Sequence, residues 1–419
     1  MEQLIIKGGK PLTGTVSISG AKNAALAILP AVILSDGVST IENLPDIDDT
    51  GHLVEILENL GAKCQFVDKH TLTIDSTSID QYRATYDSVK KIRASYYLLG
   101  ALLGRFGVAE VAMPGGCNFG QRPVDQHIKG FKALGAIADL KNGMNKLKAE
   151  NLVGANIYLD VVSVGATINI MLAATRAKGT TIIENVAKEP HVVDTANFLN
   201  MMGANIKGAG TDTMRIKGVD KLNGVNYTVI PDQIEAGTYM IAGAITGGDV
   251  TITNVIPKHM DPLTSKLIEM GCKIEEGDDY IRVIAPAKLQ TTNVKTMTYP
   301  GFPTDLQPQF TTLLACAEGA GIVTENVWEN RFQYVNELKR MGFNITVEGR
   351  IAVTKGPVKP QGAEVFASDL RAGAAVVLAG LIAEGTTIIN NPKQIYRGYE
   401  DIDKKLNGLG ADVTKVGNA

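Results

Sequence analysis

The chain repeats itself six times. A strand-like segment of the pattern Gly-x-x-Thr-Ile-x-Asn is followed about eighteen residues later by a Gly signature. The six signatures are Leu60-Gly61-Ala62, Leu134-Gly135-Ala136, Met202-Gly203-Ala204, Met270-Gly271-Cys272, Met341-Gly342-Phe343 and Leu409-Gly410-Ala411. Successive glycines lie 74, 68, 68, 71 and 68 residues apart. A period that regular over 419 residues means one supersecondary unit copied six times. Departures from the repeat then mark positions where chemistry has displaced architecture.

Each copy predicts the same series of elements. First comes a helix of small and apolar residues, at 23–31, 94–103, 166–174, 236–245, 310–317 and 372–382. These helices are apolar nearly all round, so they are expected to be buried. A Thr/Ile-alternating strand follows, then a loop and an amphipathic helix ending at the Gly signature. In the first copy Leu53, Ile56, Leu57 and Leu60 form one stripe, and Gly61 suits the left-handed position after a helix end. A strand pair closes the unit. The fold class is α/β (α+β), and at about 200 residues for three units the chain divides into two domains. The expected domains are 22–230, and 1–21 with 231–419. The leading strand at 4–6 could pair with either half.

Hydrophobic residues at 45%, charged residues at 20%, a net charge of -3 and a pI of about 6.0 describe an ordinary globular chain. That balance favours neither nucleic acid nor an acidic membrane as partner. The N-terminus lacks a basic segment followed by an apolar one, and no apolar stretch reaches the length of a membrane span. Four scattered cysteines suit a reducing compartment, so a cytoplasmic protein is expected. The five histidines lack metal-ligand spacing, and there is no Cys-x-x-Cys, Walker A sequence or dinucleotide fingerprint. Neither a metal nor a cofactor is expected.

The unusual polar residues gather at the starts of the apolar helices. Ser163, Asp232 and Ser368 have a structural explanation as N-caps. Lys22, Arg93 and Arg371 do not, because a cation at a helix N-terminus opposes the dipole. A bound phosphate or carboxylate would resolve the conflict. The second copy breaks the pattern. Met113 stands where the other five have Asn43, Asn185, Asn254, Asn326 and Asn391, and the distance to the Gly signature is 22 residues instead of 16 to 19. The surplus is the loop Pro114-Gly115-Gly116-Cys117-Asn118-Phe119-Gly120-Gln121-Arg122-Pro123. Its glycines predict a mobile loop, in which Arg122 is expected to favour thiolate at Cys117. Cys64, Cys272 and Cys316 are expected to be buried or idle. Arg331 and Arg397 occupy loops equivalent to the Cys117 loop, and the lone Trp328 is expected to pack at the domain boundary.

Several of these segments together resemble the enolpyruvyl transferases, in the branch that acts on UDP-N-acetylglucosamine. They are Gly20-Ala21-Lys22-Asn23-Ala24-Ala25, the Cys117 loop running into Arg122-Pro123-Val124-Asp125, Ser163-Val164-Gly165-Ala166-Thr167, Pro300-Gly301-Phe302-Pro303-Thr304-Asp305, Ser368-Asp369-Leu370-Arg371-Ala372-Gly373 and Arg397-Gly398-Tyr399-Glu400. The resemblance spans the whole chain. It implies an inside-out α/β barrel with three units per domain and an active site in the cleft between the domains. The implied reaction is transfer of the enolpyruvyl group of phosphoenolpyruvate to the sugar's 3-hydroxyl with release of phosphate, the first committed step of peptidoglycan synthesis. It implies Cys117 as the acid, Asp305 as the base, and Lys22, Arg122, Arg371 and Arg397 as the clamp on phosphoenolpyruvate. Lys22 and Arg397 count among the catalytic positions. The nucleotide sugar is implied to meet Asn23, Arg93, Arg122, Pro123, Val124, Asp125, Gln126, Ser163, Val164, Gly165, Asp305 and Val327, with Asp369 a further substrate-binding position. The implied partners are these two small molecules, without nucleic acid, membrane or an obligate protein.

Three positions depart from the family pattern: Phe119, Val161 in place of Lys, and Tyr396 in place of Asp. Cys117 poses a chemical tension, since nearby cations push a thiol toward thiolate while a general acid must hold its proton. It acts either as that acid or by covalent addition to phosphoenolpyruvate. Rival readings are a shikimate-pathway enolpyruvyl transferase, which shares fold and donor but lacks the cysteine loop, an RNA 3'-phosphate cyclase-like ligase, and a non-catalytic repeat scaffold.

Overall fold

The computed structural model describes residues 2–113 and 124–417, without the side chain of Arg93. Cys117, Arg122 and Pro123 therefore lie outside the described residues. The chain forms two compact units, one of residues 20–230 and one of 1–19 with 231–419, taken over the described residues. Each has its own hydrophobic core, running from Ala21 to Val229 in the first and from Leu4 to Val413 in the second.

Each unit contains three four-stranded sheets. The second copy shows the plan. Arg83–Ala84 runs parallel to Val108–Ala112, which pairs antiparallel with Met144–Lys148, which pairs antiparallel with Ile137–Lys141. The parallel pair is joined through the helix Tyr97–Phe106, as parallel strands require a crossover. Strands such as Thr180–Glu184 alternate between more and less buried side chains, so each sheet has a buried face. The crossover helices are different. In Val164–Ala174 every residue from Ala166 onward is buried, and Leu370–Ile382 is almost as fully enclosed. Helices lie inside and sheets outside, with the helices buried as the repeat predicts and the whole matching the inside-out α/β barrel that the resemblance implies.

The predicted helices are found at Lys22–Ala31, Tyr97–Phe106, Val164–Ala174, Gln233–Ile245, Gln307–Leu314 and Leu370–Ile382. The fifth stops three residues before the expected end at 317 and begins three residues before the expected start. Pro308 fits its first turn, where no N–H is needed.

The two recurrent signatures have backbone causes. All six signature glycines have positive φ, from 92° to 109°, a region costly for any residue with a β-carbon. The strand-end asparagines each donate Nδ2 to a carbonyl at the end of the neighbouring parallel strand. The pairs are Asn43 to Val229 (2.8 Å), Asn185 to Leu159 (2.8 Å), Asn254 to Ile18 (2.6 Å), Asn326 to Thr296 (3.1 Å) and Asn391 to Ala367 (3.1 Å). Four of them also take positive φ, which asparagine tolerates better than other side-chain-bearing residues. Met113 has no amide to make that clamp.

Two connections depart from a simple string of repeats. Thr13–Ser17 pairs parallel with Asp249–Thr253, while Asn226–Thr228 pairs parallel with Val38–Glu42. The chain thus passes from one unit to the other at residues 19–20 and back at 230–231. The leading strand Gln3–Lys7 lies between Thr386–Asn390 and Asp412–Val416, antiparallel to both. It completes the sheet of the sixth copy, settling which half it joins.

Candidate active site

In the unit of residues 20–230, Lys22 is the first residue of its helix. It is buried, and its Nζ lies 2.7 Å from Oδ2 of Asp49, which is buried in the first turn of Asp48–Asn59. The conflict between cation and helix dipole is met here by an acidic side chain of the protein itself. Asn23 follows half-buried.

At the start of Val164–Ala174, Ser163 is the N-cap, its Oγ accepting from the Ala166 N–H at 3.2 Å. Val164 and Gly165 are half-buried. Beside them lies His127, whose Cε1 and Nε2 come within 3.1 Å of the point where a β-carbon on Gly165 would stand. His127 Nδ1 is 2.9 Å from Nδ2 of Asn169, which also donates to the Tyr96 carbonyl at 2.8 Å. Asn169 Oδ1 accepts from the Gly100 N–H, which fixes the amide orientation. Nδ1 is therefore the acceptor and the ring proton sits on Nε2. Burial pushes this imidazole down to about 4, against a smaller opposing pull from Asp125. The histidine spacing in the sequence carried no sign of this arrangement.

Asp125 opens the helix Asp125–Ala133 and is exposed, and Val124 precedes it half-buried. The Gln126 side chain bridges Asp160 and Asp125: its Nε2 donates to Asp160 Oδ2 at 3.0 Å and to Asp125 Oδ2 at 3.1 Å, and its Oε1 accepts from the Asp160 N–H at 2.9 Å.

In the other unit, Asp305 sits in the short turn Thr304–Leu306 between two guanidinium groups. Arg331 Nη2 donates to its Oδ1 at 3.0 Å and Arg371 Nη2 to its Oδ2 at 3.1 Å. Both arginines are buried. Burial works against the carboxylate's charge, but Arg371 and Arg331 outweigh it and hold Asp305 well below the usual carboxylate range. Arg331, which as a loop residue reads like an ordinary solvated arginine, is 3% exposed and belongs to this ion-pair group.

Asp369 is the N-cap of Leu370–Ile382, accepting from the Arg371 and Ala372 N–H groups at 2.9 and 3.0 Å. The cap expected at Ser368 is one residue later, because the carboxylate reaches both amides. Asp232 caps Gln233–Ile245 as expected. The Val327 N–H donates to Oε1 of the buried Glu325 at 2.7 Å, which fixes the turn after the strand Gly319–Thr324. Half-buried Arg397 donates from Nη1 to Gln394 Oε1 at 3.3 Å. Burial raises the thiols of Cys64 and Cys316 to about 12 and that of Cys272 to about 11, so all three stay protonated. Among the described residues, no group of three or more His, Cys, Asp or Glu is placed to hold a metal ion, and no helix is long and apolar enough to cross a membrane.

In the one unit a buried lysine opens a helix, and in the other a half-buried carboxylate lies between two buried arginines, groups suited to anionic ligands. Comparison with known proteins agrees. Residues 6–406 match the family model of EPSP synthase (3-phosphoshikimate 1-carboxyvinyltransferase), and the chain belongs to that family. Among its relatives, the UDP-N-acetylglucosamine 1-carboxyvinyltransferase 3 of Caldanaerobacter subterraneus subsp. tengcongensis is 57% identical over 416 residues, covering 99% of this chain and all of the relative. The UDP-N-acetylglucosamine 1-carboxyvinyltransferase of Clostridium botulinum is 58% identical over 417 residues with the same coverage. The crystal structure of the enolpyruvyl transferase NikO from Streptomyces tendae superposes with a TM-score of 0.91 at 30% identity, over 99% of this chain and 98% of that one. EPSP synthase from Acinetobacter baumannii, at 20% identity and a TM-score of 0.77 over both whole chains, shares the fold.

Proposed function

We propose that this protein transfers the enolpyruvyl group of phosphoenolpyruvate to the 3-hydroxyl of UDP-N-acetylglucosamine and releases phosphate, as the first committed step of peptidoglycan synthesis. The observation that carries this reading is the correspondence along 99% of the chain, at 57% and 58% identity, with relatives named for that transfer. Lys22, Arg122, Arg371 and Arg397 bind the phosphate and carboxylate of phosphoenolpyruvate. Asn23, Arg93, Arg122 to Gln126, Ser163 to Gly165 and Val327 bind the nucleotide sugar, and Asp369 holds the start of the Arg371 helix.

The chemistry needs a proton delivered to C3 of phosphoenolpyruvate while the sugar oxygen joins C2 and its hydroxyl proton is taken up. Loss of phosphate and of a C3 proton then restores the vinyl group. Cys117 delivers the first proton and Asp305 takes the hydroxyl proton. The ion pairs of Asp305 bear on that second role. Clamped between two guanidiniums it is ionised but a weak base. An anion that draws Arg371 and Arg331 toward itself removes positive charge from Asp305 and raises its basicity. Proton acceptance is thereby tied to donor binding, and the same cations stabilise the departing phosphate.

Phosphate release from phosphoenolpyruvate, measured with UDP-N-acetylglucosamine, with shikimate 3-phosphate and with no acceptor, tests the assignment. Release is expected with the nucleotide sugar alone. Release with shikimate 3-phosphate alone would place the chain with the sister enzymes, and no release with any acceptor would sink the transferase reading.

A further inference from the structure

Arg371 is held at both ends of its fork by side chains of different charge. Nη2 donates to Asp305 Oδ2 at 3.1 Å, and Nη1 donates to the Tyr399 hydroxyl at 3.2 Å. Tyr399 is 1% exposed and its hydroxyl has two further neighbours, Gln309 Nε2 at 3.1 Å and Thr238 Oγ1 at 2.9 Å.

The direction of every bond in this group follows from counting protons. Thr238 Oγ1 has one proton and lies 2.8 Å from the Ile234 carbonyl, which can only accept. The proton between Thr238 and Tyr399 therefore belongs to the phenol. Gln309 Nε2 donates to both oxygens, at 3.2 Å to Thr238 and 3.1 Å to Tyr399. The phenol oxygen thus accepts from Arg371 and Gln309 and donates to Thr238. Thr238, Gln309 and Arg371 lie on Gln233–Ile245, Gln307–Leu314 and Leu370–Ile382, the three crossover helices of this unit. One hydroxyl ties all three together. Next to the tyrosine, Gly398 packs closely on Leu370: a β-carbon on it would stand 2.6 Å from the leucine Cδ2.

We propose that Tyr399 is a positioning residue that aims the Arg371 guanidinium at the anionic donor substrate, a role that rests on the function proposed above. A phenol suits this better than a second carboxylate. It fixes the fork without cancelling its charge, so Arg371 remains a net cation for a phosphate or carboxylate. Burial raises the Tyr399 hydroxyl above its usual range even with Arg371 beside it, which keeps it a neutral phenol. Holding the fork before substrate arrives spares the cost of ordering it on binding.

The test is steady-state kinetics of Tyr399→Phe beside the wild type, with both KM values and the thermal midpoint measured. A hydrogen bond to a charged group is worth enough to expect a loss of about tenfold or more in kcat/KM for phosphoenolpyruvate. That loss is expected with the KM for UDP-N-acetylglucosamine unchanged within about twofold. Thr238→Val leaves the phenol and removes only its acceptor, so it is expected to shift the same parameter in the same direction by a smaller factor. It also carries the test if Tyr399→Phe does not fold. Wild-type phosphoenolpyruvate kinetics in whichever variant folds would overturn the proposal. So would equal losses for both substrates that follow the thermal midpoint, since these mark a purely structural tyrosine. A wild type that releases no phosphate from phosphoenolpyruvate would overturn the functional reading itself, whereas an active wild type with an indifferent Tyr399→Phe overturns this proposal alone.

Discussion

Single side chains here show buried charge either compensated or avoided. Lys22 and Asp49 compensate each other, as do Asp305, Arg331 and Arg371. His127 avoids charge, staying neutral against Asn169. The folded chain takes up the His127 proton only near pH 4, whereas the unfolded chain takes it up near 6.5. Protonation between those values therefore favours the unfolded state. The contribution is present in full above pH 6.5 and is lost as the pH falls through 4, an amount of about 3 kcal/mol at the acid limit. Urea midpoints measured from pH 7 to pH 4 are expected to fall less steeply for His127→Gln than for the wild type. Parallel slopes would show that the imidazole titrates freely in the fold. Of the candidate site, Asp305 and Arg371 were legible because they stand in distinctive local motifs. Their partners were not. Asp49 lies 27 residues from Lys22, and Arg331 lies 26 from Asp305. Nothing local marks either as a counter-ion.

At the scale of the element, the repeat was legible because its signatures answer backbone demands that few residues meet. The glycines with positive φ and the clamping asparagines are such cases. Sheet completion was not legible: Gln3–Lys7 joins strands almost 400 residues away, and its own alternation suits any of the six sheets. The asparagine clamp can be taken apart experimentally. Asn185 has φ of 59° and donates to the Leu159 carbonyl, so Asn185→Ala loses a hydrogen bond and forces alanine into the left-handed region. The cost is expected to be about 2 kcal/mol in chemical unfolding, and Asn185→Gly should recover roughly half by removing the backbone strain. Asn326 makes the same bond without positive φ, so there Ala and Gly are expected not to separate in Gly's favour. Equal costs for Ala and Gly at position 185 would show that strain plays no part.

For the whole molecule, the partition matters more than the number of repeats. Residues 20–230 hold three complete sheets and a core of their own. Expressed alone, that segment is expected to unfold cooperatively and to show dispersed amide resonances. A molten or aggregated product would mean that its core depends on the remainder of the chain. Its two ends are already close to each other: the Ala21 N–H donates to the Ile230 carbonyl at 2.7 Å. Just outside it, the Asp232 N–H donates to the Ser19 carbonyl at 2.9 Å, and Ser19 is itself held by Glu235 and by Lys405. Among the described residues, the chain leaves the unit of 1–19 and 231–419 and returns to it at a single spot. Residues 20–230 are thus a guest seated in one loop of a host. Joining 19 to 231 through a short linker would excise the guest without any described host strand changing its partner.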